Sequence, residues 1–252
     1  MAIPIKNSEE IKAMRESGKI LAEVLEECIK RAKPGVSTLE LDKFAEEFII
    51  KKGGKPAFKG YHGFPCTLCT AINEIIVHGI PNQNQILKEG DLFTVDCGVI
   101  YQGMYTDAAR STGIGEISKD KNRLLKTAKK ALNQAIDLAK PGVHLGKISK
   151  EIQKIIEDEG FHVIYDLTGH GVGKTLHEEP IVTNYWDGSP GEVLAEGMCI
   201  AIEPIFSTTT SKMKTLKDGW TIVTSDNSPS VQEEHTILIT EKGAEILTKL
   251  RD

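Results

Sequence analysis

No apolar run in the 252-residue chain approaches the roughly 18 residues that a membrane-spanning helix needs. The first ten residues, Met-Ala-Ile-Pro-Ile-Lys-Asn-Ser-Glu-Glu, lack the charged-then-apolar pattern of a secretory signal. There is no strong basic block, and the net charge of −5 argues against a dedicated nucleic-acid binder. Disulfides are also improbable: the five cysteines, at 28, 66, 69, 97 and 199, are odd in number and scattered, which fits a reducing cytoplasm. Cys66-Thr67-Leu68-Cys69 has no second pair to complete a zinc site, so its thiols read as packing or pocket-lining groups rather than redox groups. What remains has an ordinary globular composition, 40% apolar and 27% charged, and is long enough for one large core or two small ones.

The most unusual stretch is 168–180, Thr-Gly-His-Gly-Val-Gly-Lys-Thr-Leu-His-Glu-Glu-Pro. Glycines permit tight turns and close ligand approach, and His170 and His177 are natural metal ligands or proton carriers. Two look-alikes fail. A phosphate-binding loop would need glycine at 168 and a helix after it, whereas Thr168 stands there and Pro180 interrupts any apolar period. A His-Glu-x-x-His zinc helix starting at His177 would need a histidine where Ile181 stands. The two histidines therefore need partners from elsewhere in the chain.

Apolar spacing and caps predict helices over 7–31 and 37–53, the first opened by Asn7 with Glu10 and the second by Ser37 with Glu40. A loop-rich segment follows through 60–65 and 73–81. A strand pattern from Asp91, a turn at Tyr101-Gln102-Gly103 and a second strand would form a hairpin that brings Asp96 near Asp107. Helices over 118–140 and 145–159, then strands over 200–206, 220–223 and 236–239, complete the pattern. The second half copies the first. Ala32-Lys33-Pro34-Gly35-Val36 recurs as Ala139-Lys140-Pro141-Gly142-Val143, and Gly53 recurs as Gly160, the same 107-residue shift (139 − 32 and 160 − 53). Under that shift Asp96 falls on Glu203. His78-Gly-Ile-Pro81 resembles His177-Glu-Glu-Pro180 at a shorter shift. A period this long exceeds solenoid repeats and points to a duplicated helix–helix–strand half, with equivalent strands lining a shared cleft.

Asp96 and Glu203 interrupt otherwise apolar strands, where an unpaired carboxylate costs several kcal/mol or takes up a proton. Arg110 is the one nearby base, and nothing cationic lies near Glu203 in the sequence. Glu233-Glu234-His235 adds another acidic position, with Glu233 read as a solvated strand entrance. Asp96, Asp107, His170 and Glu203 would converge, and such an oxygen-rich set suits pairs of Mn, Fe(II), Co or Zn ions about 3.5–4 Å apart.

Val-His-Gly-Ile-Pro, Val-Asp-Cys-Gly, Thr-Asp-Ala-Ala-Arg, Gly-His-Gly-Val-Gly, Leu-His-Glu-Glu-Pro, Ala-Ile-Glu-Pro and Glu-His-Thr-Ile occur in this order along nearly the whole chain. Together they resemble the type I methionine aminopeptidases, in their short bacterial form without a zinc-finger extension. The resemblance implies an α+β pita-bread fold, with two pseudo-twofold-related αβ halves, about 7–112 and 113–240, in a single catalytic domain. It implies removal of the initiator methionine from nascent chains whose second residue is small, Met1-Ala2 of this chain being such a start. It also implies two divalent metal ions (Co, Mn, Fe or Zn): Asp96 on one, Asp107 and Glu234 bridging both, and His170 with Glu203 on the other. Glu203 would be the general base, His177 would steady the scissile carbonyl, and His78 would contact the scissile nitrogen. A monovalent cation, Na or K, would sit near Asn73, Ile75 and Ser230. The methionine pocket would comprise Phe58, Tyr61, Phe64, Cys69, His78, Leu176 and Trp220. Phe58, Phe64 and Leu176 depart from the Cys, Tyr and Phe of the best-known bacterial form but stay apolar, which leaves a methionine-sized hole. The expected setting is a cytoplasmic monomer acting on emerging chains, at the ribosome in one version of this reading. Prolidase-like exopeptidases and peptide-binding relatives that have lost catalysis share the fold; a filled ligand set and the His78-Gly-Ile-Pro81 stretch distinguish this chain from them.

Overall fold

Helix α1 (Ser8–Arg31) starts where Asn7 Oδ1 accepts from the backbone N–H groups of Glu9 and Glu10, while Glu10 reaches back to the Asn7 N–H. Ser37 and Glu40 cap α2 (Thr38–Lys51) in the same reciprocal way. Both helices are therefore opened by the residues that sequence alone nominated. The computed structural model describes residues 3–250, so the Met1-Ala2 start lies outside the described residues.

Five strands follow in the first half: β1 (Lys55–Pro56), β2 (Leu68–Ile72), β3 (Ile75–Val77), β4 (Leu92–Tyr101) and β5 (Met104–Gly113). One edge of β4 carries β1 and β2 in succession, and the other carries β5, all antiparallel. The β4–β5 hairpin turns at Gln102 and Gly103, both with positive φ (49° and 80°), the backbone of a tight two-residue turn. Leu21, Leu25, Leu41, Ile49 and Phe93 are buried between the helices and this sheet.

The second half opens with α3 (Lys119–Leu138) and α4 (Leu145–Asp158), followed by β6 (His162–Val163), β7 (Gly169–Gly171), β8 (Glu178–Val182), β9 (Cys199–Ile202), β10 (Ile205–Ser207), β11 (Met213–Thr215), β12 (Ile222–Thr224), β13 (Ser230–Gln232), β14 (His235–Thr240) and β15 (Gly243–Ile246). Its main sheet has the order β15-β14-β9-β7-β8, and smaller sheets run β13-β10-β6 and β11-β12-β3. Leu124, Leu132, Ile148, Ile152 and Phe206 belong to its core. Because β3 comes from the first half, the halves share a sheet.

The duplication is visible in backbone contacts. Isolated bridges join Ser37 to Ile86 and His144 to Val193, the second displaced from the first by the same 107 positions at both ends (144 − 37 and 193 − 86). Gly35 N–H donates to Leu87 O, and Gly142 N–H donates to Leu194 O. Gly53 and Gly160 both follow their helices with left-handed φ, 83° and 77°.

Four expectations are corrected. Segment 73–81 is not simply loop, since it contains β3, and the unassigned stretch before it contains β2, which hid because both of its faces are buried, erasing the alternation. The single strand expected over 200–206 is two strands in different sheets. Pro204 has no N–H to continue the ladder, so the chain leaves the main sheet there. Trp220 precedes β12 rather than starting it, on a turn that Asp218 closes by accepting from the Trp220 and Thr221 N–H groups. Glu233 is not a solvated strand entrance but is buried at 3% exposure, accepting from Ser111 N–H with Lys129 Nζ 3.9 Å away.

Candidate active site

The cleft follows from the hairpin and the main sheet meeting across the two halves. On β4–β5 the register pairs Asp96 with Ala109 and Gly98 with Asp107, so the two aspartates are diagonal neighbours on one sheet face. His170 on β7 pairs with Ala201 on β9, and β14 pairs His235 with Ile202. Continued one residue, that register sets Glu203 opposite Glu234. Glu234 N–H donates to Ala109 O, and Thr236 Oγ1 donates to Asp107 O, which stitches the second-half acid to the first-half hairpin.

A cavity of about 560 Å³ lies over this junction, and all thirteen residues nominated for metal, substrate or catalysis line it. Asp96, Asp107, Glu203 and Glu234 are buried in its floor, with His170 beside them. His170 Nε2 stands 3.8 Å from Asp107 Oδ2 and 3.7 Å from Glu203 Oε1. Its Nδ1 lies 2.9 Å from Gly171 O, an acceptor only, so Nδ1 carries the hydrogen and Nε2 offers a lone pair to the acids' side. Asp107, His170 and Glu234 each bring a ligand atom within 4.8 Å of the others. Asp96 and Glu203 fall outside that tightest group and border it.

The charges in this floor do not balance by themselves. Burial raises Glu203, Asp107 and Glu234 well above the usual carboxylate range, and neighbouring carboxylates push each further: Asp107 on Glu203, Glu234 on Asp107, and Glu203 on Glu234. Burial pushes Asp96 up to about 7. The same burial lowers His170 to about 4, with help from His177. Asp96 Oδ1, Asp107 Oδ1 and Glu234 Oε1 are buried without a hydrogen-bond partner among the described residues. Arg110 does not neutralise the group by a direct ion pair; it donates to the carbonyls of Ala109, Glu234 and Thr248. Orphaned carboxylate oxygens beside a lone-pair imidazole nitrogen fit hard or borderline divalent cations.

One wall is apolar. Phe58, Phe64, Cys69 and Leu176 are buried together, with Tyr61 and Trp220 packed against them and the Phe64 and Trp220 rings edge to face at 5.2 Å. His78 sits beside this wall in a left-handed turn (φ 57°) and is half-buried. Gly79 has no room for a side chain, because an added Cβ would lie 2.0 Å from Thr70 O. His177 leads into β8, its Nδ1 2.8 Å from Tyr61 Oη and its ring 4.3 Å from that of His170. Partial desolvation lowers both imidazoles, with His177 adding to the shift of His78 and His62 to that of His177.

Sequence reasoning missed Gln232. Its buried Nε2 donates to Glu203 Oε2 and Glu234 Oε2, 3.2 Å from each, and holds two of the acids in place. Its position next to Glu233-Glu234 was the only available signal. His62, which precedes a glycine as His170 does and lies 108 positions before it (170 − 62), one off the repeat shift, is exposed and stands outside the cavity lining.

The model of metallopeptidase family M24 matches residues 12–241. The chain is 46% identical over 246 residues to a methionine aminopeptidase of Clostridium acetobutylicum, covering 98% of each chain. It is 44% identical to methionine aminopeptidase 1 of Bacillus subtilis, covering 97% of this chain and 98% of that one. Among solved structures, the methionine aminopeptidase of Thermotoga maritima superposes with a TM-score of 0.97 at 44% identity, covering 99% of this chain and 100% of its own. The prolidase of Pyrococcus furiosus shares the fold at a TM-score of 0.80 and 26% identity, with 98% of this chain matching 66% of that one. The expected pita-bread architecture is thus present, and with it the divalent-metal dependence of the family. With acids and imidazole gathered from both halves and relatives of this kind along its whole length, the chain belongs to metallopeptidase family M24, among its methionine aminopeptidases.

Proposed function

We propose that this cleft removes the N-terminal methionine from nascent polypeptides whose second residue is small, using two divalent ions. The observation that carries the metal reading is the set of buried, unpartnered oxygens on Asp96, Asp107 and Glu234 around the lone pair of His170. In this reading Asp96 would hold one ion, His170 and Glu203 would hold the other, and Asp107 and Glu234 would serve both; Co, Mn, Fe and Zn all suit such donors. Bound there, the ions supply Lewis-acid polarisation and an activated water.

The chain's own residues do the rest. Glu203, with Oε2 held by Gln232, takes the proton from the attacking water and returns it to the departing amine. Tyr61 Oη lies 2.8 Å from His177 Nδ1; in the tautomer where the phenol donates there, Nε2 carries the hydrogen and can donate to the oxygen that gains charge at the scissile carbonyl. His78 faces the scissile nitrogen. The Phe58–Phe64–Leu176–Trp220 wall takes the thioether, a flexible apolar group that fills an irregular hole well.

Ser230 Oγ donates to the carbonyls of Asn73 and Ile75, the corner where a monovalent cation, Na or K, is proposed to bind. The whole chain acts as one catalytic domain and as a cytoplasmic monomer at or near the ribosome; no helix among the described residues is long and apolar enough to cross a membrane. The test is peptide hydrolysis with Mn(II) or Co(II). Met-Gly-Met should release methionine, while a proline-second peptide with another first residue should stay intact. No release with any divalent metal would remove the assignment.

A further inference from the structure

We propose that Lys6 is a positioning residue for His177, acting through Glu178. This rests on the role of His177 proposed above. Lys6 lies in the short segment before α1, 172 positions from Glu178, yet its Nζ stands 2.5 Å from Glu178 Oε2 with both side chains buried, at 3% and 8% exposure. The other carboxylate oxygen, Oε1, accepts from Lys174 N–H at 2.6 Å and from Thr175 N–H at 3.2 Å. Thr175 Oγ1 in turn donates to His177 O. One carboxylate therefore closes the turn that presents His177 to the cleft and Leu176 to the methionine pocket.

Lys6 is itself held. Its N–H donates to Gly197 O beside the main sheet. The stem of its side chain passes over Gly173, where an added Cβ would lie 2.3 Å from Lys6 Cε. Gly173 O accepts from Tyr105 N–H, so the turn is tied to β5 on one side and to the N-terminal segment on the other. A buried ion pair by itself is weak evidence for stability, since desolvation offsets much of its attraction. Its place is what matters here: it locks the residue adjacent to His177. Without Lys6, Glu178 is left as a buried charge, and it relaxes toward water with the turn attached to it.

The experiment compares Lys6→Met, Lys6→Arg and Glu178→Gln in the full-length, Mn(II)-loaded enzyme on Met-Gly-Met, with and without His177→Ala. Lys6→Met should lower kcat by about tenfold or more while changing KM less than about threefold, because misplacing a catalytic contact acts on the transition state. Lys6→Arg should restore most of that loss. In the His177→Ala background, Lys6→Met should produce no further loss, and the metal-free protein should show displaced His177 imidazole resonances with those of His144 and His162 unmoved. Wild-type kcat in Lys6→Met, losses that multiply across the double variant, or unmoved His177 resonances would overturn the proposal. Should Lys6→Met not fold, Glu178→Gln provides the same comparison, with the same kcat-selective loss expected. A His177→Ala enzyme with normal turnover would instead sink the role of His177, and the resonances would still decide whether Lys6 holds the turn.

Discussion

The rings of His170 and His177 meet edge to face with centroids 4.3 Å apart, yet their hydrogen bonds point them to different tasks. His170 gives its Nδ1 hydrogen to Gly171 O and turns a lone pair toward the acids, whereas His177 Nδ1 meets the Tyr61 hydroxyl. The two alanine variants should therefore separate. His170→Ala should lose divalent-ion binding by calorimetry, while His177→Ala should keep it and lose about 10²–10³ in kcat. Equal metal loss in both variants would contradict this division.

Asp107→Asn should inactivate the enzyme and yet stabilise its metal-free form. The Asp107 carboxyl is raised by burial first and by Glu234 and Asp96 next. A carboxyl with a raised folded-state pKa contributes stability that is complete below its unfolded value near 4 and is lost as pH rises through the folded value. At pH 7 the metal-free variant should be more stable than the metal-free wild type in chemical denaturation. That difference should shrink toward zero near pH 4. Adding Mn(II) should reverse the order at pH 7, because ion binding stabilises only the intact site.

Glu203→Gln should fold normally and lose about 10²–10⁴ in turnover, the usual contribution of a general base. The amide keeps an oxygen for Gln232 Nε2 but cannot carry the proton. Stopped-assay rates with saturating metal check this, and wild-type turnover would remove Glu203 as the proton carrier.

Gly79→Ala should damage the site from behind. The new methyl would meet Thr70 O at 2.0 Å, a backbone atom that cannot swing away, and Gly79 O already accepts from Thr70 N–H. Overpacking of this kind costs about 1–3 kcal/mol and should push the His78 turn toward the cavity. The expected result is a lower melting temperature together with reduced kcat/KM, measured on the same preparation.

The site was legible where residues contradicted their surroundings. Asp96 and Glu203 stand out because strands so apolar do not ordinarily carry a charge, and the 107-residue shift sets them in equivalent positions. Gln232 gave no such contradiction: an amide beside two acids looks like any polar strand end, and only the cross-strand geometry shows it bonded to both Glu203 and Glu234. Lys6 with Glu178 was equally hidden, because periodicity reports neighbours a few residues apart and this pair is 172 apart. The split at Pro204 could have been read from the missing N–H, whereas the burial of Glu233 depends on Ser111 and Lys129 from other elements. Helix starts were the most legible part, since Asn7 and Ser37 act on N–H groups only two or three residues ahead.

The shared sheet β11-β12-β3 carries a consequence for how the chain is made. The partner of β3 is β12, nearly 150 positions later (222 − 77 and 223 − 75 give 145 and 148), and Glu234 reaches Ala109 from later still. A growing polypeptide cannot finish its first half until most of the second has been synthesised. Asp96 and Asp107 meet within one hairpin of the first half, but Glu203 and Glu234 can join them only after most of the second half has been made.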